Sequence, residues 1–295
     1  MLVTNQMLGQ MLSGDLQTLQ GQMLNVQQQL SSGDQITTPS DNPSGAEQVV
    51  QLNHAIAQNG EYQNNATQAL NWLESTGSAL SQMVTLGQSV RTLAVSASGD
   101  MPQSEVVALQ DQASSLLQSM LSTANTQVGG QYLFAGTLTD TANAPFSLGK
   151  TGPTYAGNHN AMQIAIGPTS QVVTNTTGSA LMPLLTATQQ IITDLGTGTV
   201  ASLAQVTGSD LSQLNTALDG VIDAQTTAGA TQQEVQQQQS QLTTAQNQLT
   251  QLKASTLDTN VTQAVVQLQQ LQESYQSALA VGSNLIEPTL AKYMP

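Results

Sequence analysis

His54 and His159 are the only two histidines of the chain, and they fall in segments of different texture. A zinc or acid–base site needs such groups converged, as a pair at i, i+4 or beside a carboxylate. His54 sits within a helical pattern, where it reads as a surface or groove residue, and His159 sits in a turn-like stretch. The sequence has no cysteine, which removes thiolate ligands and thiol nucleophiles. A glycan-hydrolysing site would need an acidic pair, yet Asp140 is the only acidic residue between Gly129 and Thr193. Neither a Gly-rich phosphate loop nor a G-x-S-x-G elbow occurs. The expectation is a non-enzyme with no catalytic residue, no cofactor and no metal. Asp41 and Asp258 stand near expected helix starts, where a carboxylate complements the helix dipole. Met7, Met11, Met23, Met83 and Met120 offer adaptable thioether packing, either between copies or inside a core.

The residues present in quantity are uncharged. Charged side chains make up 7% of the 295 residues and aromatics 3%, and the formal net charge is −14. Four basic residues, Arg91, Lys150, Lys253 and Lys292, cannot neutralise a phosphate backbone, so nucleic acid is not an expected partner. The same balance disfavours anionic membrane surfaces. No apolar run reaches the eighteen residues of a membrane span. The N-terminal "MLVTNQMLGQMLSGDLQ" lacks both a basic stretch and an unbroken apolar stretch, so it does not read as a Sec signal.

What remains is pattern. Leu12, Leu16, Leu19, Met23, Val26 and Leu30 step alternately by four and three, the seam of a coiled coil. "LSSGDQITTPSDNPSGAEQ" then interrupts the helix. Gly33 suits a left-handed helix stop and Pro39 forbids simple continuation. Helix restarts either at Asn42 with Pro43 in the first position or at a Ser44–Glu47 capping box. Val49, Leu52, Ile56, Ala66, Leu70, Leu73, Leu80, Val84 and Ala94 carry a long helix to Ser96, which Gly60 and Gly77 weaken without ending. "SGDMPQSE" turns the chain into a helix bearing Val106, Leu109, Ala113, Leu116, Met120 and Ala124.

From Gly129 the composition turns to Gly, Thr, Pro and Asn. "GGQYLFAGT" reads as a strand, as do "MQIAI" and "QVVT". Helical pattern returns at Leu181–Leu195 and again after "GSD", where Ser209 or Asp210 can cap. A Gln-rich stretch from Val235 to Leu257 keeps apolar residues at Val235, Leu242, Ala245, Leu249 and Leu252, which argues for helix over a disordered tract. "LDTN" makes a second break, and a final seam runs through Ala264, Leu268, Leu271, Tyr275, Ala278, Gly282 and Leu285.

The expected fold is mainly α: an elongated antiparallel helical rod with terminal coiled-coil helices and a small β-rich inserted domain. Its expected division is 1–40 plus 258–295 for the terminal coil, 41–130 plus 181–257 for the rod, and 131–180 for the insertion. Two matched breaks act as joints (Gly33, Pro39, Asp41, Pro43 and Asp258), and the terminal seams have no partner but each other and further copies.

In this order the segments resemble the flagellin superfamily over essentially the whole chain, and its hook-filament junction branch in particular. "LSSGDQITTPSDNPSGAEQ" is similar to the N-terminal joint of that family, and "ALNWLESTGSALSQMVTLGQSVRTLAVSAS" to its rod helix. "GGQYLFAGT" and "YAGN" resemble segments of its central domain, and "QLQQLQESYQSALAVGSNLIEPTLAKYM" its C-terminal helix. Asp34 and Gln35 depart from it, since a basic residue usually follows Leu-Ser-Ser-Gly there. The resemblance implies an extracellular structural protein of the bacterial flagellum, exported by the flagellar type III apparatus without a cleaved signal. It implies a ring of copies as the assembled form, with the first junction protein, flagellin and an export chaperone as partners. A filament-forming flagellin is the near alternative, and a secreted coiled-coil protein outside the flagellum the distant one.

Overall fold

The computed structural model describes residues 2–97, 99–140 and 142–286, with side chains for 7–97, 99–140 and 142–283. Seven α-helices lie among them: α1 (Leu2–Ser32), α2 (Pro43–Ser96), α3 (Gln103–Ala124), α4 (Met182–Thr197), α5 (Val200–Gln205), α6 (Leu211–Leu257) and α7 (Val261–Ile286). The chain divides into two compact units, residues 1–58 with 245–295 and residues 59–244. The fold is mainly α, as the periodicity predicts, and α2 passes Gly60 and Gly77 without a break.

The second unit holds the main core. Leu80, Met83, Val90 and Ala94 of α2 are buried with Ala113, Leu117 and Met120 of α3, Leu184, Leu185 and Ile191 of α4, and Leu214 and Val221 of α6. Each Leu, Ile, Val or Met among them contributes about 1.5–3 kcal/mol when withdrawn from water, and each Ala less. Gly87 permits the close approach of α2 to its neighbours: a Cβ there would stand 2.5 Å from Leu218 Cδ2 and 3.3 Å from Leu184 Cδ1. Met83 and Met120 are fully buried in this core, whereas Met7 and Met11 of the other unit are exposed.

The β-rich segment is three separate antiparallel pairs rather than one sheet. β1 (Gln127–Val128) pairs with β2 (Gln131–Tyr132) across a Gly129–Gly130 turn. β3 (Phe146–Gly149) pairs with β4 (Gly152–Tyr155), and β5 (Gln163–Ala165) with β6 (Gln171–Val173). The strand expected over "GGQYLFAGT" is limited to Gln131–Tyr132. Leu133, Phe134 and Ala135 that follow are fully buried anchors, so burial rather than ladder pairing fixes this stretch. Tyr155 fastens the corner, its hydroxyl 2.9 Å from Phe134 O and 2.8 Å from Asn158 O.

A second departure lies at "GSD". α6 begins at Leu211, directly after it, but as the continuation of a helix and not as a capped start: a π-helical segment, Val206–Asp210, joins α5 directly to α6. The cap in this region is Thr199, nine residues before Gly208, where Thr199 and Ser202 form a capping box opening α5. The Gln-rich stretch is helical throughout, with Val235 and Leu242 buried, while Leu252 is exposed.

Candidate assembly surface

The first unit brings the two chain ends together. α1 stops at Ser32 because Gly33 takes φ 81°, a left-handed value that glycine adopts without strain. Gly33 N–H donates to Gln29 O at 2.9 Å, which closes the last turn. The chain then crosses to the second break. Gln35 N–H donates to Leu257 O and Thr259 N–H to Gly33 O, each at 2.7 Å, and Asp34 forms an antiparallel bridge with Asp258. Gln35 Nε2 adds a bond to Thr256 O at 2.7 Å. The two breaks, so alike in sequence, are therefore clasped to each other.

The acidic residues of the joint do different work from the expected capping. α2 opens on Asn42, whose Oδ1 accepts from Gly45 N–H at 3.0 Å, which decides between the two candidate starts. Asp41 instead faces back to the turn that carries Pro39. Its Oδ2 accepts from Thr38 N–H at 2.8 Å and Thr37 Oγ1 at 2.9 Å. The Thr38 amide first, and then the Thr37 hydroxyl, hold the Asp41 carboxyl below its ordinary range. α7 is capped by Asn260, whose Oδ1 accepts from Gln263 N–H at 3.2 Å, while Asp258 acts through its backbone. Asparagine supplies the same acceptor as aspartate without the charge, so the sequence signal at Asp41 and Asp258 pointed one or two residues off the true caps.

α1 and α7 run antiparallel from this clasp, with Leu12 near the far end packed over Gly282; a Cβ on Gly282 would stand 2.7 Å from Leu12 Cδ2. Leu12, Leu16, Leu19, Met23 and Leu30 on α1, and Leu268, Leu271 and Tyr275 on α7, are all half-buried. Val26 and Ala264, each about 5% exposed or less, are the only fully buried apolar side chains of the pair among the described residues. Leu285 lies outside the residues whose side chains are described. A seam with two side chains covered and eight half-covered is an incomplete coil. Met7, Leu8, Met11 and Leu24 on α1, and Val261, Val265, Val266, Leu279 and Val281 on α7, add exposed apolar surface beside it.

A polar groove of about 480 Å³ runs along the clasp, lined by Asn25, Gln29, Gln35, Asn42, Asn260 and Gln263 among others. Asn25 Oδ1 and Thr259 Oγ1 are enclosed there without a hydrogen-bond partner. Such a surface offers acceptors to neutral donors beside half-covered apolar side chains, which is the chemistry of helix packing. His54 and His159 are exposed in separate units, and no cluster of three metal-ligating side chains occurs among the described residues. No described helix is long and apolar enough to cross a membrane.

Comparison with known proteins agrees with this arrangement. The family model for the bacterial flagellin N-terminal helical region matches residues 3–139. Flagellar hook-associated protein 3 of Escherichia coli K12 is 30% identical over 233 residues, covering 78% of this chain and 72% of that protein. The protein of the same name from Salmonella typhimurium LT2 is 28% identical over 189 residues, covering 63% of this chain and 58% of that one. Among solved structures, FlgL of Xanthomonas campestris superposes with a TM-score of 0.62 at 17% identity, covering 69% of this chain and 99% of that one. A chain with these ends, this helical order and this degree of identity belongs to the flagellar hook-associated protein 3 family, structural proteins that carry a flagellin-like N-terminal region.

Proposed function

We propose that the chain forms the junction between flagellar hook and filament by self-assembly through α1 and α7. The observation that carries this reading is the half-covered seam. Only two of its ten side chains are fully buried, one of them an alanine, so much of the apolar area of the other eight is still left for a further partner to cover. The remaining apolar surface gains its cover from neighbouring copies in a ring. The first junction protein and flagellin take the two ends of that ring, and an export chaperone covers the same helices beforehand. In this reading the terminal coil comprises residues 1–40 with 258–295, the rod 41–130 with 181–257, and the β insertion 131–180. The protein works outside the cell and leaves it through the flagellar type III apparatus without a cleaved signal, and it performs no catalysis.

Removal of residues 1–30 or 265–295 tests this reading. Each truncated chain is expected to lose assembly at the hook tip, giving hooks without filaments and flagellin shed into the medium, while residues 59–244 keep their helical circular dichroism. A truncated chain that still joined hook to filament would overturn the assignment of assembly to the terminal seams. Purified full-length protein growing long filaments unaided would instead make it a filament subunit.

A further inference from the structure

Asp210 closes the π segment and is 4% exposed, the one buried acidic side chain among the described residues. A π turn widens a helix by one residue and recurs where a side chain is held for a purpose. Asp210 Oδ1 accepts from Ser209 Oγ at 3.3 Å, but Oδ2 is enclosed and no donor reaches it. The ionisable neighbour of Asp210 is a second carboxyl, Asp194 of α4. Ionised carboxylates have only acceptors to offer each other, so the contact becomes a bond only with a proton between them.

Among the described residues, the elements packed on this site supply no cation. α4 and α5 pack against the π segment. α4 has Asp194 as its sole titratable residue, α5 has none, and α6 has none before Asp219. α3, packed on α4, carries exposed Glu105 and Asp111, and the turn before it carries exposed Asp100. Arg91 of α2 is exposed to solvent. Asp194 is already held as an acceptor, with Gln190 Nε2 donating to its Oδ2 at 2.9 Å.

We propose that Asp210 and Asp194 share one proton, and that its loss loosens the corner where α5, the π segment and α6 pack on α4: a pH-sensitive latch built into the fold. The proton sits on Asp210, whose hydroxyl donates to Asp194. Burial first, then the neighbouring Asp194, pushes the Asp210 carboxyl up to about 6, against the opposing pull of Ser209. In the unfolded chain the same group titrates at about 3.9. The support of the shared proton is therefore complete below about pH 4 and is lost as pH rises through about 6. Above that pH two negative charges face each other in a half-enclosed site.

The test uses the full chain. Side-chain carboxyl carbons are followed by NMR from pH 4 to 8, with D210N and D194N supplying the assignments. Amide exchange of residues 206–214 is measured at pH 5 and 7.5 and corrected for the intrinsic rate. The latch predicts a carboxyl with a midpoint near 6 that vanishes in D210N and moves down in D194N. It also predicts corrected exchange several-fold faster at pH 7.5 than at pH 5, with that difference abolished in D210N. An Asp210 midpoint near 4 in the unsubstituted protein, or equal corrected exchange at the two pH values, overturns the proposal. Both readouts on the unsubstituted chain decide the matter even if a variant fails to fold.

Discussion

Replacing Gly136 with alanine should damage the second unit far more than the same change at Gly129, although both glycines have left-handed backbones with φ 73° and 60°. A left-handed alanine costs about 1–2 kcal/mol at either position. At Gly129 nothing lies within 4 Å of the added Cβ, so the backbone term is the whole effect. At Gly136 the Cβ collides with the side-chain oxygen and the backbone carbonyl of Asn158. Asn158 is the hub of this corner. Its Oδ1 accepts from Thr137 N–H at 2.9 Å and Asn160 N–H at 3.1 Å, and its carbonyl accepts from Tyr155 at 2.8 Å. Moving it aside forfeits two or three bonds of about 1 kcal/mol each. The total for G136A is then about 3–5 kcal/mol, against about 1–2 for G129A. Urea unfolding monitored by Trp72 checks this, because Trp72 is the single tryptophan, is 7% exposed and lies within residues 59–244. Equal midpoints for the two variants would refute the collision argument and leave only backbone conformation.

Two further outcomes follow from the same geometry. Tyr155→Phe keeps the ring tilted against Phe146 at 5.0 Å but removes the hydroxyl that ties Phe134 to Asn158, so urea unfolding should show a loss of about 1–2 kcal/mol, and no loss would mean that the ring alone fixes the corner. At the joint, the depressed Asp41 carboxyl gives support that is present above its ordinary value of 3.8 and is lost as pH falls through the lower folded value. The Thr38 amide signal should therefore move with acidification below pH 4 and stay still in D41N; a Thr38 signal indifferent to pH in the parent protein would disprove the contact.

The seams were readable because a period of four and three survives any surface composition. The residues chosen for the two terminal seams from Leu12 to Leu30 and from Leu268 to Tyr275 are all half-buried or buried, whereas Leu252 of the Gln-rich helix is exposed. Gly33 was readable because only glycine takes that backbone cheaply. Of the caps, Asn42 was one of the two starts the sequence offered for α2, whereas Asn260 was passed over for Asp258, because that choice depends on a turn that sequence spacing does not fix. The β3–β4 hairpin escaped for another reason, whereas β5 and β6 fall within the expected "MQIAI" and "QVVT". β3 and β4 contain Gly149, Gly152 and Pro153, residues that read as loop, and they are held by Phe146 and Tyr155 against the helices rather than by strand propensity. The π segment left no mark at all, because its Gly208-Ser209-Asp210 is also what an ordinary helix start looks like.

The clasp between the two breaks sets an order of events in folding. Joining Gln35 to Thr256 spans 221 residues, and closing so long a flexible loop costs about 5 kcal/mol of chain entropy. Asn59 Nδ2 donates to Leu242 O at 2.9 Å within the other unit. Once that bond and the core around it exist, the stretch still free to wander falls to about 40 residues, and the closure becomes cheaper by about 1.5 kcal/mol. Loop closure thus favours pairing of the two terminal helices after the middle of the chain is in place, so that a newly made chain would hold these helices apart until then.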